Sequence, residues 1–204
     1  MADIVTNPDI PYGGFIPAGL FPSKTIYIQG YVPPQSDKFY LNLQCGHQSQ
    51  PPADIALHFN PRFIFKQQNA HYVVLNSLLS QQWGHEERPG TLPFVRGQNF
   101  EIIILCEVNE YKIAVNGAHF VSFKHRIPDL QKVTFLRIDG AVKIYNIRYD
   151  PPSVQVPPPT AMYPPVGAPL VALTNEMTVM NPPTPYVGAL SGSLQNGAMV
   201  KVKR

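Results

Sequence analysis

Nine short runs of alternating apolar and polar residues, each closed by turn-forming residues, leave this chain little choice of architecture. They cover residues 25–32, 37–45, 53–60, 72–77, 99–108, 110–116, 120–124, 132–139 and 142–149. A two-residue period is that of a strand with one buried face, and no segment sustains the 3.6-residue period of a helix. Asn116-Gly117 and Asp139-Gly140 read as two-residue hairpin turns, because both pairs accept the positive φ of a type I′ turn. Many short antiparallel strands imply an all-β fold, a two-sheet antiparallel β-sandwich.

Parity sketches the core. In 99–108, Phe100, Ile102, Ile104 and Cys106 share one face, while Ile103 and Leu105 on the other are apolar enough to suggest a strand covered on both sides. Tyr111, Ile113 and Val115 face inward together. Phe135 and Ile138 break strict alternation, which points to a bulge, and Ile127-Pro128-Asp129-Leu130 reads as a short turn or one helical turn. Cys45 and Cys106 have neither metal spacing nor a disulfide framework around them and are read as free buried thiols.

Polar chemistry concentrates between residues 58 and 88. His58-Phe59-Asn60-Pro61-Arg62 comes first, Val74-Leu75-Asn76 next, and Trp83-Gly84-His85-Glu86-Glu87-Arg88 last. On a strand His58, Asn60 and Arg62 project together while Phe59 and Phe63 point into the core, and the same parity sets Glu86 beside Arg88. Directional donors and acceptors thus surround one flat indole. That set suits a ligand with an apolar face and a ring of hydroxyls, such as galactose, whose axial 4-hydroxyl leaves C–H groups clustered on one side.

In order and register over residues 10–150, H-F-N-P-R, V-L-N and W-G-H-E-E-R resemble the carbohydrate-recognition signature of the galectins. The resemblance narrows the sandwich to the galectin jelly roll with a sugar groove on its concave sheet. It implies that His58, Asn60 and Arg62 bond the galactose 4-hydroxyl, that Asn76 and Glu86 bond the 6-hydroxyl, and that Trp83 stacks under the ring. Arg62, Glu86 and Arg88 would reach the next sugar, glucose or N-acetylglucosamine, as a charge-linked set. By the same resemblance this is a non-enzymatic lectin with no cofactor and no metal. Its partners would be β-galactoside glycans on glycoproteins or glycolipids, galactose-terminated or N-acetyllactosamine in type. A homodimer is compatible with that reading, and cytoplasmic synthesis with non-conventional export to the extracellular space is its implied localisation.

Other function classes fit less well. A glycosidase needs two carboxylates about 5 to 10 Å apart across the scissile bond, whereas Glu86 and Glu87 are adjacent and point to opposite faces of a strand. The histidines apart from His58, namely His47, His71, His85, His119 and His125, are scattered without ligand spacing. A net charge of +3 with no basic block argues against nucleic acid, and no apolar run is long enough for membrane insertion. The alternative from another class is a protein-interaction module that keeps the sandwich and binds partners through its prolines or its other sheet.

Of the 23 prolines in 204 residues, those after Asp150 are the most densely packed. Pro151-Pro152, Pro157-Pro158-Pro159, Pro164-Pro165 and Pro182-Pro183 make residues 151–184 an extended or disordered Pro-rich linker. Beyond it, Pro185-Tyr186-Val187-Gly188 through Val202 repeats Pro11-Tyr12-Gly13-Gly14 through Ile28, with Leu194 falling on Leu20. Residues 185–204 are therefore read as the truncated beginning of a second galectin domain, similar to a tandem-repeat galectin. That piece spans about one strand and lacks both a His-Asn-Arg cluster and a tryptophan, so it is expected to bind no sugar and to be disordered or borrowed by another sheet edge. The expectation is a truncated isoform or a fragment with one binding site.

Overall fold

The computed structural model describes residues 3–63 and 71–150. The Pro-rich linker and the repeat at 185–204 lie outside them. Two antiparallel six-stranded sheets pack face to face. The first runs β1 (Asp3–Thr6), β12 (Lys143–Asp150), β3 (Thr25–Tyr31), β8 (Asn99–Cys106), β9 (Glu110–Val115), β10 (Ala118–Lys124). The second runs β2 (Tyr12–Phe15), β11 (Phe135–Gly140), β4 (Phe39–Gln44), β5 (Ile55–Arg62), β6 (Tyr72–Leu79), β7 (Gln82–Trp83). The expected all-β two-sheet sandwich is the observed one.

Alternation explains which side chains meet between the layers. Leu41, Leu43, Phe59 and Leu75 from the second sheet join Ile26, Ile28, Ile102, Ile104 and Ile113 from the first in one buried cluster. Phe39 bridges the layers, stacked at 5.5 Å on Phe100. Burying a side chain such as Phe59 is worth about 2 to 3 kcal/mol. The consequence for the second sheet is a rigid floor: its inward residues are locked in the core, so its outward residues hold fixed positions.

Several expectations change. Ile103 and Leu105 of β8 are only half-buried, because a sandwich of two layers covers each strand on one face and theirs is the outer one. No bulge interrupts β11, whose register with β4 is continuous. Leu136 and Ile138 point in, and Phe135 belongs to the opposite face, where it packs edge-on against Phe15. Register shifts fall instead at Leu43/Gln44, Ile55/His58, His119/Val121 and Ile144/Asn146.

Asn116-Gly117 is the hairpin turn between β9 and β10, with φ of 51° and 79°. Asp139-Gly140 is not a hairpin, since β11 and β12 belong to different sheets. Gly140 (φ 106°) ends β11 opposite Phe39, where a Cβ would meet the Lys38 carbonyl oxygen and Phe39 Cα at 2.8 Å each. Only glycine tolerates that backbone and that contact as the chain crosses between layers. A 3-10 turn at Leu130–Lys132 follows the predicted short turn. Both thiols are free, but Cys45 is half-buried where Cys106 is fully buried.

Candidate functional site

Cross-strand register gathers the polar residues. Asn42 of β4 pairs with His58 of β5, and His58 pairs with Asn76 of β6, so three polar side chains line up in a row across the second sheet. At the end of this row β7 carries Trp83, paired with Leu78. The result is a trough of about 460 Å³ lined by His58, Arg62, Val74, Asn76, Trp83, Gly84 and Glu86.

Five of the seven residues expected from sequence line this trough directly: His58, Arg62, Asn76, Trp83 and Glu86. Asn60 lies beneath, buried, with its Nδ2 donating to the Phe39 carbonyl and its Oδ1 accepting from Arg62 Nε at 2.7 Å. Arg88 stands outside and holds Glu86 through Nε at 3.1 Å and Nη2 at 2.7 Å. The other carboxylate oxygen of Glu86 is 3.9 Å from Arg62 Nη2. Tyr72 supports both cations, with its ring 4.7 Å from the Arg88 guanidinium and 5.9 Å from that of Arg62. The expected charge-linked set is thus a continuous chain from Asn60 to Arg88.

His58 has a defined protonation state. Its Nδ1 lies 2.6 Å from Asn42 Oδ1, a carbonyl-type oxygen that only accepts, so Nδ1 carries the proton. Burial, reinforced by the charge of Arg62, pushes its pKa down to about 4. The ring is therefore neutral at pH 7 and offers the Nε2 lone pair as an acceptor.

Trp83 is 52% exposed, with its indole 5.0 Å from the His58 ring and inclined at 62°. A fully buried indole would be core; this one offers a face. It sits just beyond a tight turn whose two central residues, Ser80 and Gln81, have φ of 48° and 66°. Those angles are strained for residues with a Cβ, and Asp54 helps hold the turn by accepting the Ser80 N–H at 2.7 Å.

Asn76 is 4% exposed and heavily engaged. Its Nδ2 donates to the Gly84 carbonyl at 2.9 Å, and its Oδ1 accepts from Ser77 N at 2.8 Å and Arg126 Nη1 at 3.0 Å. One N–H of the amide is left to face the trough. Glu86 and Glu87 turn apart as parity requires, Glu86 to the trough and Glu87 to Arg126 Nη2 at 2.7 Å. Among the described residues no three metal-ligating side chains come together.

Two contributors escaped the sequence reading. Asn42 had a usable signal, because Tyr40, Asn42 and Gln44 alternate with Phe39, Leu41 and Leu43 and mark the polar face of their strand. Arg126 had none: it follows β10, the far edge of the other sheet, and no periodicity ties it to the trough. Beyond Asn42 a second cleft of about 320 Å³ continues along the same sheet, lined in part by Tyr12, Tyr40, Phe135 and Arg137. There Asp139 accepts from both Tyr40 Oη at 3.0 Å and Arg137 Nη2 at 3.1 Å.

Residues 11–149 match the family model described as galactoside-binding lectin. The chain is similar to galectin-4 of Rattus norvegicus, 36% identical over 97% of this chain and 62% of that protein. It is also similar to galectin-7 of Homo sapiens, 36% identical over 69% of this chain and 97% of that protein. Among solved structures, galectin LEC-6 of Caenorhabditis elegans superimposes with a TM-score of 0.62 at 26% identity, over 72% of this chain and 96% of that one. The chain spans 62% of the length of the rat galectin-4 that it matches.

Proposed function

The chain belongs to the galectin family of galactoside-binding lectins, and from that membership we propose that its trough binds β-galactosides by hydrogen bonding to hydroxyls and stacking on Trp83, without metal, cofactor or chemical transformation. The observation that carries this reading is the convergence of five motif side chains on one trough with a half-exposed indole as its wall. A hydroxyl both donates and accepts. The galactose 4-hydroxyl donates to His58 Nε2 and accepts from Arg62 and Asn60, while the 6-hydroxyl accepts from the remaining Asn76 N–H and donates to Glu86. The C–H face of the ring rests on the indole. Arg62, Glu86 and Arg88 then meet the next sugar.

Magnitudes limit the affinity. Hydroxyl hydrogen bonds exchange with water and net about 0.5 to 1.5 kcal/mol each. A disaccharide at roughly 0.3 kcal/mol per heavy atom reaches about 7 kcal/mol, a dissociation constant on the order of 10 μM. We read residues 10–150 as the recognition domain, 151–184 as a linker and 185–204 as the opening of a second domain. One trough of that strength holds a glycoprotein or glycolipid glycan weakly, so tight attachment needs further sites acting together. Cytoplasmic synthesis with export to the outside is the setting this function needs.

The test is retention on a lactose resin with elution by lactose and not by mannose. Arg62→Ala and Trp83→Ala should each abolish retention while the melting temperature stays within a few degrees of the parent, because both side chains belong to the trough and not the core. Retention by both variants would overturn the assignment.

A further inference from the structure

We propose that Arg126 is a positioning residue that sets recognition of the galactose 6-hydroxyl by fixing which way the Asn76 amide faces, an inference that rests on reading Asn76 as the partner of that hydroxyl. An asparagine side chain can rotate by half a turn and exchange its oxygen for its nitrogen with almost no change in shape. The two orientations present opposite chemistry to a ligand, an N–H donor in one and a C=O acceptor in the other. Something must choose between them.

Three bonds make the choice here. Oδ1 accepts from Ser77 N at 2.8 Å and from Arg126 Nη1 at 3.0 Å, while Nδ2 donates to the Gly84 carbonyl at 2.9 Å. Reversing the amide would set its N–H groups against the Arg126 guanidinium and the Ser77 amide, donor against donor, and its oxygen against the Gly84 carbonyl. Of the three partners only Arg126 is charged, and a bond from a charged donor is about twice as strong as a neutral one.

The geometry shows a residue placed for this task. Arg126 follows the edge strand of the opposite sheet and is half-buried. Its second nitrogen, Nη2, is fixed by the Glu87 carboxylate at 2.7 Å, and the guanidinium lies 4.7 Å from the Phe123 ring. Two anchors therefore aim the third contact. The glycine at 84 is part of the fit: a Cβ there would come within 2.8 Å of Arg126 Nη1 and 3.3 Å of Asn76 Oδ1. Glu87 gains a use that its neighbour Glu86 does not share, since it faces away from the trough and holds the residue that orients Asn76.

Lactose and 6′-deoxylactose, which lacks the galactose 6-hydroxyl, separate this role from plain structural support. Dissociation constants for both are measured by calorimetric titration with the full chain, the Arg126→Ala and Arg126→Lys variants, and Asn76→Ala alone and combined with Arg126→Ala. The parent should prefer lactose about three- to ten-fold, the range set by one or two hydroxyl bonds. Arg126→Ala should lower that ratio at least two-fold while binding 6′-deoxylactose nearly as the parent does, the Ser77 and Gly84 bonds keeping the remainder. Arg126→Lys keeps the charge but cannot serve Asn76 and Glu87 through one fork, so its ratio should fall between the two. That variant also decides the matter if the alanine form does not fold. In the Asn76→Ala background, Arg126→Ala should change lactose affinity less than two-fold. An unchanged ratio in the Arg126 variants, or a parallel loss for both sugars, overturns the proposal. A parent chain that binds both sugars equally overturns the 6-hydroxyl reading itself and the proposal with it.

Discussion

Replacing Asn42 by aspartate should turn a pH-insensitive binding site into one that fails in mild acid. In the parent, the half-buried imidazole of His58 lies beside Arg62 and its pKa is lowered to about 4, so Nε2 keeps its lone pair throughout the physiological range. The 2.6 Å contact from Nδ1 to Asn42 Oδ1 is to a neutral amide. A carboxylate in that place adds an opposite charge at about 4 Å, worth roughly 4 kcal/mol at an effective dielectric constant of 20. That corresponds to about three pKa units, and desolvation of the new carboxylate offsets on the order of one. The imidazole should then titrate near pH 6. Protonated Nε2 donates and no longer accepts, so the acceptor proposed above for the galactose 4-hydroxyl is lost. Lactose titration by calorimetry from pH 8 to pH 4.5 reads the effect directly. The parent should hold constant affinity down to about pH 5, whereas Asn42→Asp should weaken about ten-fold per unit below pH 6. A parent profile that already falls near pH 6.5, or a variant profile that matches the parent, would refute the assigned tautomer and its neutral state.

Other perturbations follow from the same geometry. Folding stability should fall as pH is lowered from 6.5 toward 4, because the unfolded histidine takes up a proton in that window and folded His58 does not. The loss should reach about 3 kcal/mol at most, be absent above pH 7, and shrink in His58→Gln, as urea melts at several pH values will show. Gly140→Ala should destabilise by roughly 2 kcal/mol or more in the same assay, since φ of 106° and backbone atoms at 2.8 Å oppose a Cβ. Gln81→Gly should raise stability by about 0.5 to 1 kcal/mol by relieving a left-handed backbone at φ 66°. A decrease would show that the side chain at 81 outweighs its backbone strain.

How much of this was legible beforehand depended on whether a residue's partners sit on its own strand or across the fold. His58, Asn60 and Arg62 alternate with Phe59 and Phe63, so one parity argument assigned both the polar face and the core face of β5. The strands that alternation missed, β1, β2 and β7, are all sheet edges. Their residues are mostly exposed or half-buried, so no apolar period marks them. Asp139-Gly140 misled for a related reason: a positive-φ glycine signals a change of direction, not whether the next strand returns to the same sheet. Arg126 and Glu87 meet through a contact 39 residues apart, which no local pattern encodes.

Strand β7 is two residues long and, among the described residues, pairs with β6 alone. The polar floor lies on β5 and β6, each tied into a broader ladder, while the indole rides on the shortest of the described strands. Amide hydrogens around Gln82 and Trp83 should accordingly exchange with solvent through local opening long before those of His58 or Asn76. Sugar captured against the indole would then slow that exchange more than anywhere else in the sandwich, which makes the rim a native reporter of occupancy.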